Sequence, residues 1–282
     1  MAPDSPPARP ASHTNDPTLP RKPRQGTNPE GLEALWAELG WRPTDDQQIQ
    51  FVQLQKELRQ WNEKVNLTRL VEGDDYWVAQ VYDSLWPMVR LIRSEQARNH
   101  AAAGGESVPP LEMIDVGTGG GFPGLALAIA LPSARLTLVD SVGRKVEAVR
   151  AMVAALGLEE RVHLRCERIE RTGRTADSRG RFDWAMARAV AGAPVVAEYL
   201  VPLLHANGRA LLYRGRWGAA DRLALERAAG ALRAEVEAVE RTDLPAGRGR
   251  RHAVILRSLA PCPQAYPRAV GVPLKVPISD GA

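Results

Sequence analysis

Three features of the sequence predict an α/β fold built on a doubly wound sheet. From residue 111 onward, short apolar runs alternate with amphipathic helical segments, the rhythm of parallel strands joined by crossover helices. The first of those runs ends in a glycine-rich loop, Asp115-Val116-Gly117-Thr118-Gly119-Gly120-Gly121-Phe122-Pro123-Gly124, the place where such sheets seat a ligand. The last two strand-like runs have no helix between them, so the last strand is expected to be antiparallel.

The elements follow in order. Residues 1–29 carry eight prolines among Ser, Thr and Asn and offer no apolar segment to bury, which predicts a disordered tail. No hydrophobic stretch follows the first basic residue, so a signal peptide is not expected. Leu32, Leu35, Trp36 and Leu39 repeat at helical spacing and stop at Gly40. Thr44 with Gln47 three residues on predicts a capping box, and Phe51, Leu54, Leu58, Trp61 and Val65 then form one apolar helix face. A further helix is predicted over 76–92, kinked or broken at Pro87. Residues 30–100 thus form a helical N-terminal cap, and 101–110, with two glycines and two prolines, a linker. Strands are predicted at 111–116, 136–139, 162–164, 182–187, 210–213, 235–239 and 253–257, and helices at 124–131, 144–156, 193–204 and 221–232. A polar, arginine-rich loop follows the third strand up to Arg181; the sheet domain spans 111–258, and 259–282 is a C-terminal extension.

Composition removes several classes of protein. Of 282 residues, 44% are hydrophobic and 25% charged, which excludes full-length disorder and coiled-coil fibres. No apolar run approaches the roughly 18 residues of a membrane span. Two cysteines make neither a disulfide framework nor a thiolate zinc site, and the five histidines lack ligand spacing, so no metal is expected. A cytoplasmic monomer is the expectation. The net charge of +4 comes from five lysines and many more arginines, which suits contacts to RNA phosphates or reflects a GC-rich genome.

The glycine loop admits two ligands. Gly119-x-Gly121-x-x-Gly124, with Asp140 roughly twenty residues on, fits a dinucleotide fingerprint. Gly117-x-Gly119-x-Gly121 fits the loop of S-adenosylmethionine (SAM) enzymes. Charge favours SAM, because a carboxylate at Asp115 repels a pyrophosphate but attracts an ammonium and a sulfonium. Asp140, at the end of the second strand, is placed to accept from ribose hydroxyls. Past the third strand, the Ile169 N–H is a candidate for an adenine ring nitrogen, and the Glu170 carboxylate for its exocyclic amine or simply for a helix start. Arg188, at the end of the fourth strand, is a candidate for the SAM carboxylate or an RNA phosphate.

Taken together, these residues resemble the bacterial 16S ribosomal RNA guanine-N7 methyltransferases, the glucose-inhibited division protein B family. The resemblance is carried by Trp61-Asn62-Glu63-Lys64-Val65-Asn66-Leu67-Thr68, Tyr82-Asp83-Ser84, the 115–124 loop, Val139-Asp140-Ser141, Ala187-Arg188-Ala189-Val190, Tyr266-Pro267-Arg268 and Gly271-Val272-Pro273. It runs from about Gly31 to Ile278. It implies a Rossmann-like SAM-dependent methyltransferase fold with a helical cap, acting on a guanine N7 of 16S rRNA in the small ribosomal subunit. By position it implies cofactor contacts at Gly117, Phe122, Ile169, Glu170 and Arg188, with Asp140 at the ribose; the glycine-loop pattern adds Gly119. The chain departs from the pattern at Arg214, where relatives often carry lysine, and at Gln80, where they often carry histidine; both departures bear on the RNA contacts.

The chemistry so implied asks little of side chains. Guanine N7 has a lone pair and no proton, so no general base is required, and no residue is assigned a catalytic role. Methylation at cytosine C5 would need a thiolate, and neither Cys166, in or beside the third strand, nor Cys262, in the C-terminal extension, is placed for it. RNA contacts are expected from Arg165, Arg168, Arg171, Arg174, Arg179 and Arg181, from Arg248, Arg250 and Arg251, and from Arg214 and Arg216, with Trp217 available to stack on a base.

Overall fold

The structure, a computed structural model, describes residues 29–101 and 109–279; residues 1–28 of the expected disordered tail and most of the expected linker lie outside the described residues, and Pro29, counted with that tail, instead begins the first helix. Helices α1 (Pro29–Leu39) and α2 (Asp45–Lys64) open the cap. The capping box forms as its spacing predicts: Gln47 N–H donates to Thr44 Oγ1 at 3.3 Å and Thr44 N–H to Gln47 Oε1 at 2.9 Å. The helix expected over 76–92 breaks at Pro87 as anticipated, but into more pieces than two. These are α3 (Gly73–Tyr76), a π-helical turn Trp77–Tyr82, α4 (Asp83–Leu85), a 3-10 turn Trp86–Met88 and α5 (Val89–Ala101). Pro87 falls in the 3-10 turn, where its missing N–H breaks no long helical ladder. The last piece runs on to Ala101 because Arg93, Glu95, Gln96, Ala97 and Arg98 are strong helix formers.

The sheet domain contains β1 (Glu112–Val116), α6 (Gly124–Ala130), β2 (Arg135–Asp140), α7 (Gly143–Ala155), β3 (Val162–Cys166), α8 (Ile169–Thr172), β4 (Phe182–Arg188) and α9 (Ala193–Leu200). It continues with β5 (Leu204–Arg214), α10 (Ala219–Ala231), β6 (Ala234–Leu244) and β7 (Gly249–Ser258); α11 (Val272–Lys275) follows in the C-terminal segment. The strand order is β3-β2-β1-β4-β5-β7-β6. Strands β1 to β5 are parallel, and β7 enters antiparallel between β5 and β6. The β6–β7 pair is therefore the hairpin that the missing helix implies. Strand β5 starts at Leu204 rather than 210, a stretch whose Asn207-Gly208 pair masks the strand pattern, and the register against β4 shifts between Phe182 and Trp184.

Each face of the sheet has its own apolar core. Met113, Leu136 and Leu138 join α6, α7 and the cap helices on one side, while Ile114, Val116 and Val139 join α9 and α10 on the other. Alternate side chains of one strand point to opposite faces, so β1 feeds both cores at once. Ring contacts knit the cap together, and one of them joins it to this body. Trp36 lies 5.9 Å from Phe51 and 6.2 Å from Trp77, and Tyr76 lies 6.1 Å from Phe122 of the glycine loop. Two glutamines add main-chain contacts, Gln47 Nε2 to Ile129 O at 2.9 Å and Gln50 Nε2 to Leu156 O at 3.2 Å.

Gly124 is where loop, strand and helix meet most tightly. A Cβ there would sit 2.3 Å from Leu138 Cδ2 and 2.8 Å from Asp115 Oδ2. Gly124→Ala is expected to cost about 1–3 kcal/mol, the usual penalty of overpacking, measured as a lower urea midpoint at unchanged m-value.

Candidate functional site

The order β3-β2-β1-β4-β5 reverses direction between β1 and β4, and a crevice opens at the carboxyl ends of those strands. A cavity of about 900 Å³ occupies it, large enough for a nucleoside-sized ligand with room beside it. Of the seven expected contact residues, Gly117, Gly119, Phe122, Asp140, Ile169 and Arg188 line this cavity.

Glu170 does not. Its side chain is 1% exposed, with Oε1 accepting the Gly271 N–H at 2.9 Å and Tyr199 Oη–H at 3.5 Å, while Oε2 lies 3.6 Å from Arg168 Nε without a hydrogen-bond partner. One oxygen of this carboxylate thus serves the C-terminal segment, and of the two neighbours Ile169 is the one that lines the crevice. Asp115 also differs from expectation. It is fully buried beneath the loop, and its Oδ2 accepts the Gly124 N–H at 2.9 Å. The carboxylates on the cavity wall are Asp140, Glu167 and Asp83.

The glycine loop folds around these anchors. Gly117 and Thr118 donate their N–H groups to Val139 O at 2.8 and 3.1 Å, tying the loop to β2. Gly117 has a φ of 72°, and a Cβ on it would lie 2.6 Å from Val190 Cγ2, so only glycine passes here. Asp140 accepts from Gly119 N–H at 3.0 Å through Oδ2 and from Val142 N–H at 2.9 Å through Oδ1. Each oxygen keeps a further lone pair, so a ligand hydroxyl can still be accepted.

Arg188 is held by the cap. It donates to Ala79 O at 3.2 Å, to Asp83 Oδ2 at 3.3 Å and to Gln80 Oε1, and its guanidinium lies 5.8 Å from the centre of the Phe122 ring. Gln80 Nε2 in turn donates to Thr68 Oγ1 at 3.0 Å. Thr68 is presented by Asn62, whose Oδ1 accepts the N–H groups of Leu67 and Thr68 at 2.9 and 3.0 Å. The Asn-Leu-Thr and Tyr-Asp-Ser pieces thus have a physical role, since Leu67, Thr68, Gln80 and Asp83 form one cavity wall. The π-helical turn Trp77–Tyr82 carries Gln80 to this position. Neither the wall nor the π turn is legible in helical periodicity.

The arginines divide. Lys145, Arg168, Arg214 and Arg251 line the cavity. Arg165 is instead engaged by Glu167, Asp177 and Ser178, Arg248 by Asp75, and Arg250 by Asp243 at 3.0 Å. Arg174 and Arg179 bind carbonyls of the C-terminal segment. Those five were expected to face RNA; opposite charges and carbonyls close to them in the fold use them internally. Neither cysteine lines the cavity, and burial pushes the Cys262 thiol up to about 11.

These features fit SAM better than a dinucleotide. A dinucleotide fold presents the N–H groups at the start of the first helix to a pyrophosphate. Here the Gly124 N–H is already taken by a buried carboxylate. The cavity has acidic groups for an ammonium and a sulfonium, a carboxylate beside a ribose position, and a fixed guanidinium for a carboxylate.

Comparison with known proteins agrees. The family model for rRNA small subunit methyltransferase G matches residues 47–254. The chain belongs to that family. It is 59% identical over 246 residues to the ribosomal RNA small subunit methyltransferase G of Synechococcus sp. (strain RCC307), covering 87% of this chain and 98% of that relative. It is 56% identical to the protein of the same name from Parasynechococcus marenigrum (strain WH8102), covering 87% and 94%. Among solved structures, an O-methyltransferase from Bacillus cereus aligns with a TM-score of 0.49 at 14% identity, covering 73% of this chain and 90% of that one. No helix among the described residues is long and apolar enough to cross a membrane.

Burial holds the Asp115 carboxyl up at about 6, against the downward pull of the Thr118 hydroxyl, the Gly124 N–H and the Arg188 charge, while Asp140 adds to the rise. In the unfolded chain it ionises near pH 4. Folding is therefore favoured by this group at low pH, and that advantage is lost as pH climbs through about 6. Asp115→Asn keeps an acceptor for Gly124 and removes the titration. Relative to wild type, the variant is expected to gain about 2 kcal/mol between pH 4.5 and 7 in urea unfolding. A difference that does not vary with pH would contradict the raised value.

Proposed function

We propose that this enzyme transfers a methyl group from SAM to N7 of a guanine in 16S ribosomal RNA, acting as a cytoplasmic monomer. The observation that carries the reading is the glycine loop closed from behind by Asp115, which leaves main chain and acidic groups, rather than helix-end donors, facing the cavity. Family membership supports the substrate, because the relatives are named for the small-subunit RNA.

Gly117 and Gly119 bring main chain against the donor, Asp140 takes the ribose, and Ile169 meets the adenine through its N–H. Arg188, pre-oriented by Gln80 and Asp83, pairs with the amino-acid carboxylate, and Phe122 keeps that guanidinium in place. When bound, SAM supplies a methyl group already activated by its sulfonium. Guanine N7 needs no deprotonation, so the chain's part is to hold two partners in line, a contribution that can reach several kcal/mol. N7 lies in the major groove, too deep and narrow in A-form RNA for side chains to enter, so the target base is unpaired or in an irregular loop. Lys145, Arg168, Arg214 and Arg251, on the cavity wall, are the cations that meet the RNA backbone.

The test is transfer of radiolabelled methyl from SAM to small-subunit RNA, with mass spectrometry of the digest for 7-methylguanosine. Label found only in another nucleoside would overturn the N7 assignment, and none at all would overturn the activity. Gly117→Asp is expected to abolish SAM binding in calorimetry, because a side chain at this positive φ runs into Val190 and forces the loop main chain out of place. Neutralising Lys145 and Arg214 together is expected to flatten the plot of log RNA affinity against log salt, by about 0.7–0.9 for each phosphate that no longer meets a cation.

A further inference from the structure

The C-terminal segment 259–279 is fastened along the crevice by a set of arginine clamps. Arg179 donates to the carbonyls of Cys262, Pro263 and Tyr266 at 2.8, 2.9 and 2.6 Å. Arg174 reaches Pro267 O at 2.8 Å. Arg268 grips the fully buried Glu198 with two prongs, at 2.9 Å from Nε and 2.6 Å from Nη2. The last fastening is the Gly271 N–H on Glu170 Oε1 at 2.9 Å, where the chain turns with a φ of 81° into α11. Glu170 directly follows Ile169, so this bond holds the start of α11 beside the cavity wall. Helix α11 also packs against α9, which contributes Tyr199 to the same wall.

Leu274, three residues past that turn, lines the cavity together with Ile169 and Tyr199, yet remains 50% exposed. A large apolar side chain held half in water on a cavity wall is stabilised by any apolar surface that covers it. In SAM the amino-acid part is charged and the ribose carries hydroxyls, so the adenine ring is the part with an apolar face to offer.

We propose that the C-terminal segment is a wall of the cofactor site, in which Leu274 packs on the adenine ring and Glu170 is a positioning residue that holds Gly271. The inference rests on the SAM reading above. It accounts for a buried carboxylate whose Oε1 accepts from Gly271 and for the number of arginines committed to a segment beyond the last strand.

Calorimetric titration of the full chain with S-adenosylhomocysteine tests it. Leu274→Ala is expected to weaken binding about tenfold while the ligand-free melting temperature stays at the wild-type value, because half of the side chain is already in water. Val276→Ala removes a 60% exposed apolar side chain from the same segment but off the cavity wall, and is expected to bind as wild type. Glu170→Gln, whose amide oxygen still accepts from Gly271, is expected to retain affinity. Glu170→Ala is expected to lose affinity, and to lose little more when combined with Leu274→Ala. Unchanged affinity in Leu274→Ala, or an equal loss in Val276→Ala, would overturn the wall. Fully additive losses in the double variant would overturn the role of Glu170. Absence of binding by the wild-type chain would instead overturn the SAM reading itself.

Discussion

A carboxylate without access to water must find its donors inside the protein, and Asp115 finds one in the first N–H of α6. That bond joins the end of β1 to the start of the helix that follows the loop. The intervening residues have to bulge toward the crevice, and Gly117 and Gly124 leave no room for a Cβ on the way. The same bond fixes what the crevice can hold. With the helix end already neutralised from within, an anionic pyrophosphate gains nothing from it, and the charges on the cavity wall are those of Asp83, Asp140 and Glu167 with Lys145, Arg168, Arg188, Arg214 and Arg251.

The cap and the C-terminal segment complete a site that the sheet alone leaves open. Arg188 grows from β4, but three of its hydrogen-bond acceptors, Ala79, Gln80 and Asp83, come from the cap. Ion pairing to a cap carboxylate would neutralise the arginine if it were complete. Arg251 approaches the same Asp83 at 3.7 Å, so one carboxylate is shared between two guanidiniums and the pair keeps a net positive charge. On the opposite side Arg174 and Arg179 hold the segment after β7 by its carbonyls, and Arg268 of that segment pairs with Glu198. Charge count along a chain is thus a poor guide to an RNA surface: what matters is which cations the fold brings to the crevice.

The sheet was legible because its signals are local. Apolar runs broken by helical periods, the glycine loop and a missing helix before the last strand predict the strand sequence and the antiparallel β7. The capping box at Thr44 was legible for the same reason. What escaped depends on partners far away in the chain. Nothing near Glu170 tells that its carboxylate will meet Gly271, 101 residues on, nor does anything near Gln80 tell that it will meet Arg188, 108 residues on. The π turn escaped because its extra residue shifts the apolar period without removing it. Six of the seven residues expected to contact the cofactor line one cavity, and the seventh, Glu170, lies beside it with one oxygen on the C-terminal segment.

The chemistry proposed for this crevice has a property that suits its walls. A positive charge carried on sulfur before methyl transfer is carried on the purine ring after it, while no proton enters or leaves. A wall bearing fixed carboxylates, such as Asp140 and Glu167, therefore faces a cation both before and after transfer. General acid–base groups would add nothing, and a histidine or lysine tuned to titrate near neutrality would only make the wall's charge vary with pH. The demand falls on geometry instead, which explains why the most constrained residues at this site are glycines and the supports behind them rather than reactive side chains.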